Sequence, residues 1–243
     1  MNSWKLDLFW TAFPLALLLP GSLLAVERAK IRALSRLTLR FSTGAIFSVI
    51  TVGLIPGLVG EHDLFLVIVG FAAGIMLMLL IEQGAAHHDD LRRSDSPRLN
   101  AARSAIGITG IGLAIAGVAL SLTWLNGRKT AVLLALALGF RFLWVGITHK
   151  ARMASTITGR RIAGRTFVVL ALCFNWGAGI GAFVLRQAPV KMVEFLLAAF
   201  VAATLFQVMA DMMEEPQDER PQPFYTAAFF VGFLVFLIIR INI

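Results

Sequence analysis

Four adjacent metal-ligating side chains stand in a polar stretch between two long apolar blocks of the sequence: His87, His88, Asp89 and Asp90. Imidazole nitrogens and carboxylate oxygens are ligands that zinc-type dications take from proteins. A metal site also needs a fixed geometry, which a polar loop does not provide, so these residues predict weak capture of a divalent metal ion. The alternative interpretation is that the four side chains are simply hydrated.

Arg141 is a cation within an apolar block. A charge at the centre of a bilayer costs about 2.5–3.5 kcal/mol on insertion scales, so it faces protein or water and has a partner. Three interpretations stay open. The guanidinium forms a structural polar pair that excludes metal, binds an anionic substrate group that matches its fork, or lies near the interface and snorkels. Candidate partners are Asn175, Gln207, Glu194 and Asp211.

The sequence lacks the usual signatures of an enzyme. It contains no glycine-rich phosphate loop, no Gly-x-Ser-x-Gly elbow and no His-Glu-x-x-His. The 4 histidines lie in predicted loops or at the ends of apolar blocks, which argues against a haem held within the membrane. We therefore expect no enzyme activity and no cofactor. A single cysteine, Cys173, excludes an intrachain disulfide.

The elements that carry these residues are apolar blocks bounded by charges. Hydrophobic residues make up 58% of the 243 residues and charged residues 15%, whereas soluble domains are about 45–50% apolar and about 25% charged. A hydrocarbon core about 30 Å thick requires about 20 apolar residues in a helix. The pattern predicts an all-α polytopic integral membrane protein with one transmembrane domain of about eight spans. They lie near residues 8–26, 42–60, 63–82, 104–125, 131–148, 166–186, 192–211 and 224–241.

The formal net charge of +8 comes mostly from basic residues between the spans, so we expect no nucleic-acid partner. Odd-numbered loops are richer in Lys and Arg than even-numbered loops, which predicts cytoplasmic odd loops and both termini outside. We expect the lipid bilayer as the partner, in the cytoplasmic membrane of a bacterium. Residues 84–100 are polar and predict a flexible cytoplasmic loop. Residues 27–40 alternate basic and apolar residues, which favours a short interfacial helix.

The loops divide the spans into groups of three, two and three, and four segments fit that division. They are Ser42–Pro56, with small residues first and Leu-Ile-Pro last, Val69–Glu82, Gly112–Ala116, reading Gly-Leu-Ala-Ile-Ala, and Thr158–Arg161, reading Thr-Gly-Arg-Arg. In order and span number they resemble the ZIP (Zrt/Irt-like) metal transporter family over most of the chain. The resemblance implies a three-two-three helix arrangement, transport of a divalent, zinc-type metal ion, and pairing as a homodimer.

Other residue types stand at the metal-ligand positions that the resemblance implies. In the fourth helix, Gly107 replaces a histidine and Ile111 an aspartate. In the fifth, Gly139 replaces a histidine and Leu143 the last ligand, and Arg141 follows two positions after Gly139. A zinc site usually needs about four imidazole, thiolate or carboxylate ligands. The resemblance therefore implies a degenerate metal site.

The predicted transport-site positions are Arg141, Asn175, Gln207, Gly107, Ile111, Gly139 and Leu143. Two alternatives to metal transport stay open. One is a non-transporting membrane protein with a regulatory or assembly role. The other is a transporter of a small anionic or organic solute that uses Arg141.

Overall fold

The computed structural model describes residues 12–18, 28–60, 64–91, 97–153, 157–183, 188–213 and 223–242. Within these residues the chain is almost wholly helical and forms no strand, which confirms the predicted all-α class. The helices are α1 (12–18), α2 (Arg28–Ser48), a π-helix (Val49–Leu54), α3 (Ile55–Gly60), α4 (Leu64–Leu91), α5 (Pro97–Asn126), α6 (Arg128–Met153), α7 (Ile157–Phe183), α8 (Val190–Met213) and α9 (Pro223–Asn242).

Several of these helices are suited to a membrane. In the described residues, 5 stretches are long and apolar enough to cross one: Leu34–Val59, Leu64–Gly84, Arg128–Thr148, Val190–Ala210 and Phe224–Asn242. Two shorter apolar helices, Thr109–Leu125 and Val168–Phe183, fall within the spans predicted near 104–125 and 166–186. These lengths and compositions are those of a multi-pass membrane protein. The span predicted at 8–26 lies mostly outside the described residues.

The loop predicted over residues 84–100 is wrong at both ends. Helix α4 continues to Leu91 and helix α5 already begins at Pro97. A helix satisfies its own backbone hydrogen bonds in water as well as in lipid, so good helix formers such as Ala, Gln and Glu extend it beyond the apolar stretch. Proline is also favoured at the first position of a helix, where its missing N–H is not needed.

The segment 27–40 is not a separate interfacial helix. Helix α2 begins at Arg28 and runs without a break into the π-helix and α3. No glycine or proline interrupts residues 28–43, and Ala, Leu, Arg and Lys are strong helix formers. The basic segment therefore prolongs the membrane helix instead of turning away from it.

The chain divides into two compact units. Unit 1 comprises Met1–Gly57, Thr123–Arg165 and Val208–Ile243, and unit 2 comprises Leu58–Leu122 and Thr166–Gln207. Unit 1 therefore contains α2, α6 and α9, whereas unit 2 contains α4 and most of α5, α7 and α8. This grouping cuts across the three-two-three division of the sequence, because helices that are distant in the chain pack together.

In unit 1, helix α2 packs parallel to α9. Early in both helices, the guanidinium carbon of Arg36 lies 5.8 Å from the ring centroid of Tyr225. Further along both, the rings of Phe47 and Phe233 lie 6.0 Å apart. Between these contacts the backbones approach so closely that a Cβ on Gly44 would overlap a carbonyl oxygen of α9. Small residues permit this approach of membrane helices.

Helix α6 runs antiparallel to α2 in the same unit. The rings of Phe41 and Phe140 lie 5.0 Å apart in an edge-to-face arrangement. In the π-helix that continues α2, a Cβ on Gly53 would lie 2.8 Å from Cγ2 of Thr130, which stands earlier in α6. Phe140 also contacts Phe236 of α9, with ring centroids 6.3 Å apart. The three helices therefore share one aromatic core.

In unit 2, helices α5 and α7 run parallel. A Cβ on Gly110 would lie 3.4 Å from Sγ of Cys173, and further along both helices the hydroxyl of Ser121 donates to the carbonyl oxygen of Ala178 at 2.9 Å. Between these points a Cβ on Gly117 would overlap the carbonyl oxygen of α7 residue 174. The two helices are therefore in backbone contact.

Helices α4 and α8 form a second parallel pair in unit 2. A Cβ on Gly70 would lie 2.6 Å from the carbonyl oxygen of Phe195, and one on Gly74 would overlap that of Ala199. The two glycines stand four residues apart, which puts both on one face of α4. This spacing is the small-xxx-small pattern that brings membrane helices together.

Candidate functional site

Arg141 lies half-buried on α6 in unit 1. Its guanidinium carbon is 4.8 Å from the ring centroid of Trp144 on the next turn of the same helix. Residues three positions apart are neighbours on a helix surface, and tryptophan is the ring that attracts cations most strongly. The contact supplies about 0.5–1 kcal/mol when exposed and about 2 kcal/mol when desolvated. Tryptophan at this spacing is the sequence signal for it.

The register of α2 and α6 gives the level of Arg141 relative to Arg40 in unit 1. Arg40 precedes Phe41 and Arg141 follows Phe140, and these two rings are in contact on antiparallel helices. Both arginines therefore lie one residue from this contact, towards the same end of unit 1. Arg40 lies within the apolar stretch Leu34–Val59 and Arg141 within the apolar stretch Arg128–Thr148. At about 1.5 Å per residue, Arg141 is about 20 Å along α6 from Arg128 and about 10 Å from Thr148.

Two cations of α2 lie at this end of unit 1. Nη2 of Arg40 donates to the carbonyl oxygen of Met212 at 3.4 Å. That carbonyl is in the last turn of α8, where carbonyls lack helical partners and carry the negative end of the helix dipole. The guanidinium of Arg36 lies over Tyr225 in the first turn of α9. We call Arg36, Arg40 and Arg141 the arginine belt.

Of the polar residues predicted as partners of Arg141, Asn175, Gln207 and Glu194 belong to unit 2, whereas Asp211 belongs to unit 1 with Arg141. Asn175 is exposed, and its side-chain amide donates to the carbonyl oxygen of Ala171 one turn earlier, at 3.0 Å. Gln207 is also exposed, and Glu194 is half-buried near the start of α8. The side chain of Asp211 lies outside the described part. One amide N–H of Asn175 is therefore bonded within its own helix, as short polar side chains in helices commonly are.

Glycine or an apolar residue stands at each of the four positions where the ZIP resemblance implies a metal ligand. A Cβ on Gly139 would meet Cδ1 of Leu17 at 2.6 Å, so this glycine lets α1 approach α6. Leu143 is half-buried, Ile111 is 49% exposed, and Gly107 lies within α5. None of these side chains is a metal ligand.

The described residues contain no group of three or more His, Cys, Asp or Glu side chains able to hold a metal ion. Residues 87–90, expected in a loop, belong to the last turns of α4, and their side chains lie outside the described part. Consecutive residues of a helix point about 100° apart. Only positions three or four apart share a face, so His87 and Asp90 are the one pair among the four that does.

The sequence predictions missed the π-helix at Val49–Leu54. The backbone N–H of Ile55 donates to the carbonyl of Ile50, five residues earlier. Pro56 follows, and a proline in a helix lacks an N–H and collides with the carbonyl four residues before it. The wider π turn accommodates that missing bond. Proline with Gly53 and Gly57 beside it is the sequence signal, and π turns inside helices are frequent at functional sites.

The two unusual features of the described residues therefore lie in unit 1. They are the arginine belt at one end and the π-helix that continues α2. The first of the three segments of unit 1 ends at Gly57, the residue after Pro56 and three residues after the π-helix. No protein-family model and no curated protein matches this chain. The ZIP-like interpretation remains a prediction carried by the order of the spans and by the four segments described above.

Proposed function

We propose that the protein is a multi-pass membrane transporter of the ZIP-like type. The observation that carries this proposal is the division into two compact helix units, each with its own parallel helix pair in glycine contact. Transporters of this general kind move one helix bundle as a body, so that a site near the bilayer midplane opens to alternate sides. Glycine contacts make such bodies stiff, since backbones that touch do not slide over flexible side chains.

The helix directions in unit 1 support a complete set of crossings. Helices α2, α4, α6, α8 and α9 contain the 5 long apolar stretches. Because α2 and α6 are antiparallel, an even number of membrane crossings lies between them. Helix α4 is one of these crossings, so α5 must be the second. Helices α6 and α9 are antiparallel as well, so an even number of crossings also lies between them. Helix α8 is one, and α7 must be the other. The proposal is therefore seven crossings from α2 to α9, and the span predicted at 8–26 adds an eighth.

In this proposal, the π-helix is the hinge at which the helix bends. The chain leaves unit 1 at Gly57, immediately after Pro56 and the π turn. Proline and π turns are the usual sites at which helices bend. Hinge residues of moving domains are a few positions at the ends of elements, away from the chemistry. This location fits a hinge better than a ligand site, because Gly53 and Gly57 provide no side-chain ligands.

A divalent metal ion is the substrate that the ZIP resemblance implies, and it is the first class to test. A second candidate is a small anionic solute. The arginine belt favours it, because clustered cations raise the local concentration of anions, and no three-ligand metal group occurs among the described residues.

The test is uptake by purified, folded protein in vesicles, with zinc, iron and manganese measured beside empty vesicles. Uptake of a metal above that control supports metal transport with unconventional ligands. If phosphate or a carboxylate enters instead, and Arg141→Leu stops it while Arg128→Leu does not, the anionic solute is the substrate. If folded protein transports none of these, the metal and small-anion versions are wrong, and the regulatory or assembly role becomes the hypothesis to pursue.

A further inference from the structure

One amide side chain stands on the exposed side of the apolar stretch Val168–Phe183 in α7. Asn175 is exposed and lies near the middle of this stretch, about 10–12 Å along the helix from either end. An amide that faces hydrocarbon loses the hydrogen bonds that water would supply. In membrane proteins, asparagine at such a position forms hydrogen bonds to another helix.

The amide of Asn175 has hydrogen-bonding capacity left over. Its Nδ2 donates to the carbonyl oxygen of Ala171 at 3.0 Å. An asparagine amide has two N–H donors and a carbonyl acceptor. Within the part of the chain that the structure describes, Asn175 makes no further hydrogen bond. The second N–H and Oδ1 are therefore available to a partner.

The face of α7 around Asn175 has the spacing of a helix–helix seam. Steps of three or four residues lead from Val168 through Leu172, Asn175 and Gly179 to Phe183, and such steps follow the contact stripe of a left-handed helix pair. Val168, Leu172 and Phe183 are 60%, 54% and 82% exposed. A Cβ on Gly179 would meet no described atom within 4 Å, so another helix has room to approach there.

This seam is separate from the contact between α7 and α5. That contact uses Gly177, where a Cβ would overlap the carbonyl oxygen of Ala114. Gly177 stands two positions after Asn175, which puts it about 200° further around the helix. Between positions 168 and 183, every exposed residue of α7 other than Asn175 is apolar. The seam is therefore an apolar surface with a single polar group at its centre.

A second copy of this chain is the partner that this surface fits. Two amides are complementary, because the carbonyl of each accepts an N–H of the other. A two-fold axis beside α7 brings the same residue of both copies together. A single asparagine in an apolar seam also fixes the register and the number of helices in coiled coils. A water-filled pathway fits less well, because this face offers only one polar group to water.

We propose that the protein forms a homodimer through α7, in which Asn175 of one copy is hydrogen-bonded to Asn175 of the other. The proposal rests on α7 being a membrane crossing, as in the proposed function, and it does not depend on which solute is transported. Its test therefore measures association and water access, and the uptake assay is a separate result.

The first experiment measures dimer affinity by energy transfer between donor-labelled and acceptor-labelled full-length protein, diluted stepwise with lipid in vesicles. A hydrogen bond between membrane helices contributes about threefold on average, so Asn175→Leu, which removes a symmetric pair, is expected to weaken the dimer about tenfold. Asn175→Gln keeps an amide and is expected to retain most of the affinity. The matched control is Gln207→Leu, which removes another exposed amide of unit 2 and is expected to have no effect.

Monomeric wild-type protein, or an unchanged dimer with Asn175→Leu, would overturn the proposal. An equal loss with Gln207→Leu would overturn it as well, because any exposed amide would then drive association.

The second experiment locates the interface with Asn175 intact, so it also decides the case in which Asn175→Leu does not fold. In a background with Cys173→Ala, single Leu172→Cys and Gly179→Cys variants are oxidised in vesicles. A disulfide requires Cα atoms about 4.4–6.8 Å apart, so both variants are expected to form covalent dimers. Ile180→Cys, also exposed but about 100° around the helix from Gly179, is the control. Equal cross-linking at Ile180 would mean that this seam is not the interface.

Asn175→Cys in the same background tests for water at this position. A membrane-impermeant thiol reagent is expected to leave it unmodified, because a residue at the centre of a dimer within the bilayer is out of reach of water. Rapid modification would overturn the proposal and identify the face as part of a water-filled pathway.

Discussion

Unit 1 and unit 2 are each held by a parallel helix pair that meets through two glycines, and the two pairs have the same spacing. In each pair, the glycine of one helix faces a carbonyl oxygen of the other, three residues before that helix's own glycine. The contact repeats in both directions. The residues are Phe41, Gly44, Phe229 and Gly232 in unit 1, and Ala114, Gly117, Phe174 and Gly177 in unit 2.

The two units differ in what surrounds this shared contact. In unit 1, buried hydroxyls of α2 bond to their own helix, as Thr38 does to Leu34 at 2.8 Å and Thr43 to Leu39 at 2.8 Å. In unit 2, the buried hydroxyl of Ser121 bonds to the neighbouring helix. Both units contain a well-buried and a lipid-facing type of span: Arg128–Thr148 is 67% and Phe224–Asn242 17% buried in unit 1, and Val190–Ala210, nearly all of it in unit 2, is 44% and Leu64–Gly84 17% buried. The same backbone contact thus stands beside hydroxyls that bond within one helix in unit 1 and between two helices in unit 2.

The largest effects are expected from filling the glycine contacts. Gly44→Leu and Gly177→Leu each drive a side chain into a backbone carbonyl that cannot move aside. Overpacking costs about 1–3 kcal/mol and occasionally more, so we expect both variants to unfold at a clearly lower temperature. The measurement is the midpoint of thermal unfolding in detergent. Gly179→Leu is the control on the same helix as Gly177, since a Cβ there meets nothing within 4 Å among the described residues.

Equal losses for Gly44→Leu and Gly177→Leu would mean that the two contacts are equivalent in energy as well as in spacing. If Gly179→Leu destabilises as much as Gly177→Leu, the glycine contact does not hold unit 2 together.

A smaller effect, a gain in stability, is expected at the π-helix. The described helices of unit 2 contain no π-helix. Pro56→Ala restores an N–H and removes the clash with the preceding turn. We expect stability to rise by about 1 kcal/mol, a fraction of the ~3 kcal/mol that an interior proline costs, while uptake in vesicles falls. Pro189→Ala, just before α8, is the matched control. Unchanged uptake with Pro56→Ala would remove the π-helix from the transport mechanism.

The hydroxyls of Ser121 and Thr43 are expected to differ modestly in their contributions to the unfolding free energy. Ser121→Ala removes a bond between helices, and such bonds average about 0.6 kcal/mol in membrane proteins. Thr43→Ser keeps the hydroxyl that returns to its own helix, so the loss at this position reflects only a methyl group. Thr43→Ala then isolates the hydroxyl, and we expect almost no further change relative to Thr43→Ser. Denaturant titration of the unfolding free energy measures each variant. A larger effect of the hydroxyl at Thr43 than at Ser121 would reverse the comparison.

The smallest effect is expected at Trp124, at the end of α5 in unit 1. Its buried indole nitrogen has no hydrogen-bond partner among the described residues. Trp124→Phe therefore removes a donor without breaking a bond, and we expect the unfolding free energy to stay within about 0.5 kcal/mol. A loss above about 1 kcal/mol in the same titration would mean that the indole has a partner in the folded protein.

Local features of the molecule follow from the sequence, whereas the pairing of helices does not. The contact of Arg141 with Trp144 requires only a helix and a spacing of three. The self-bonding of Asn175 requires only its own helix. By contrast, the depth of Arg141 depends on the contact between Phe41 and Phe140, two residues far apart in the chain. Apolar length likewise misplaced the ends of α4 and α5, because a helix continues into water where its residues favour it.

The sequence by itself determined the helical class, the apolar stretches and the clusters of charge, since these depend on backbone hydrogen bonding and on the cost of polar groups in lipid. Only the tertiary structure decided that α2 pairs with α9 and α5 with α7, and that the cations of α2 and α6 share one level. Many glycines stand in apolar helices, and a glycine becomes a contact only where a partner's carbonyl lies against it. That choice is made by packing between distant segments, which no local spacing contains.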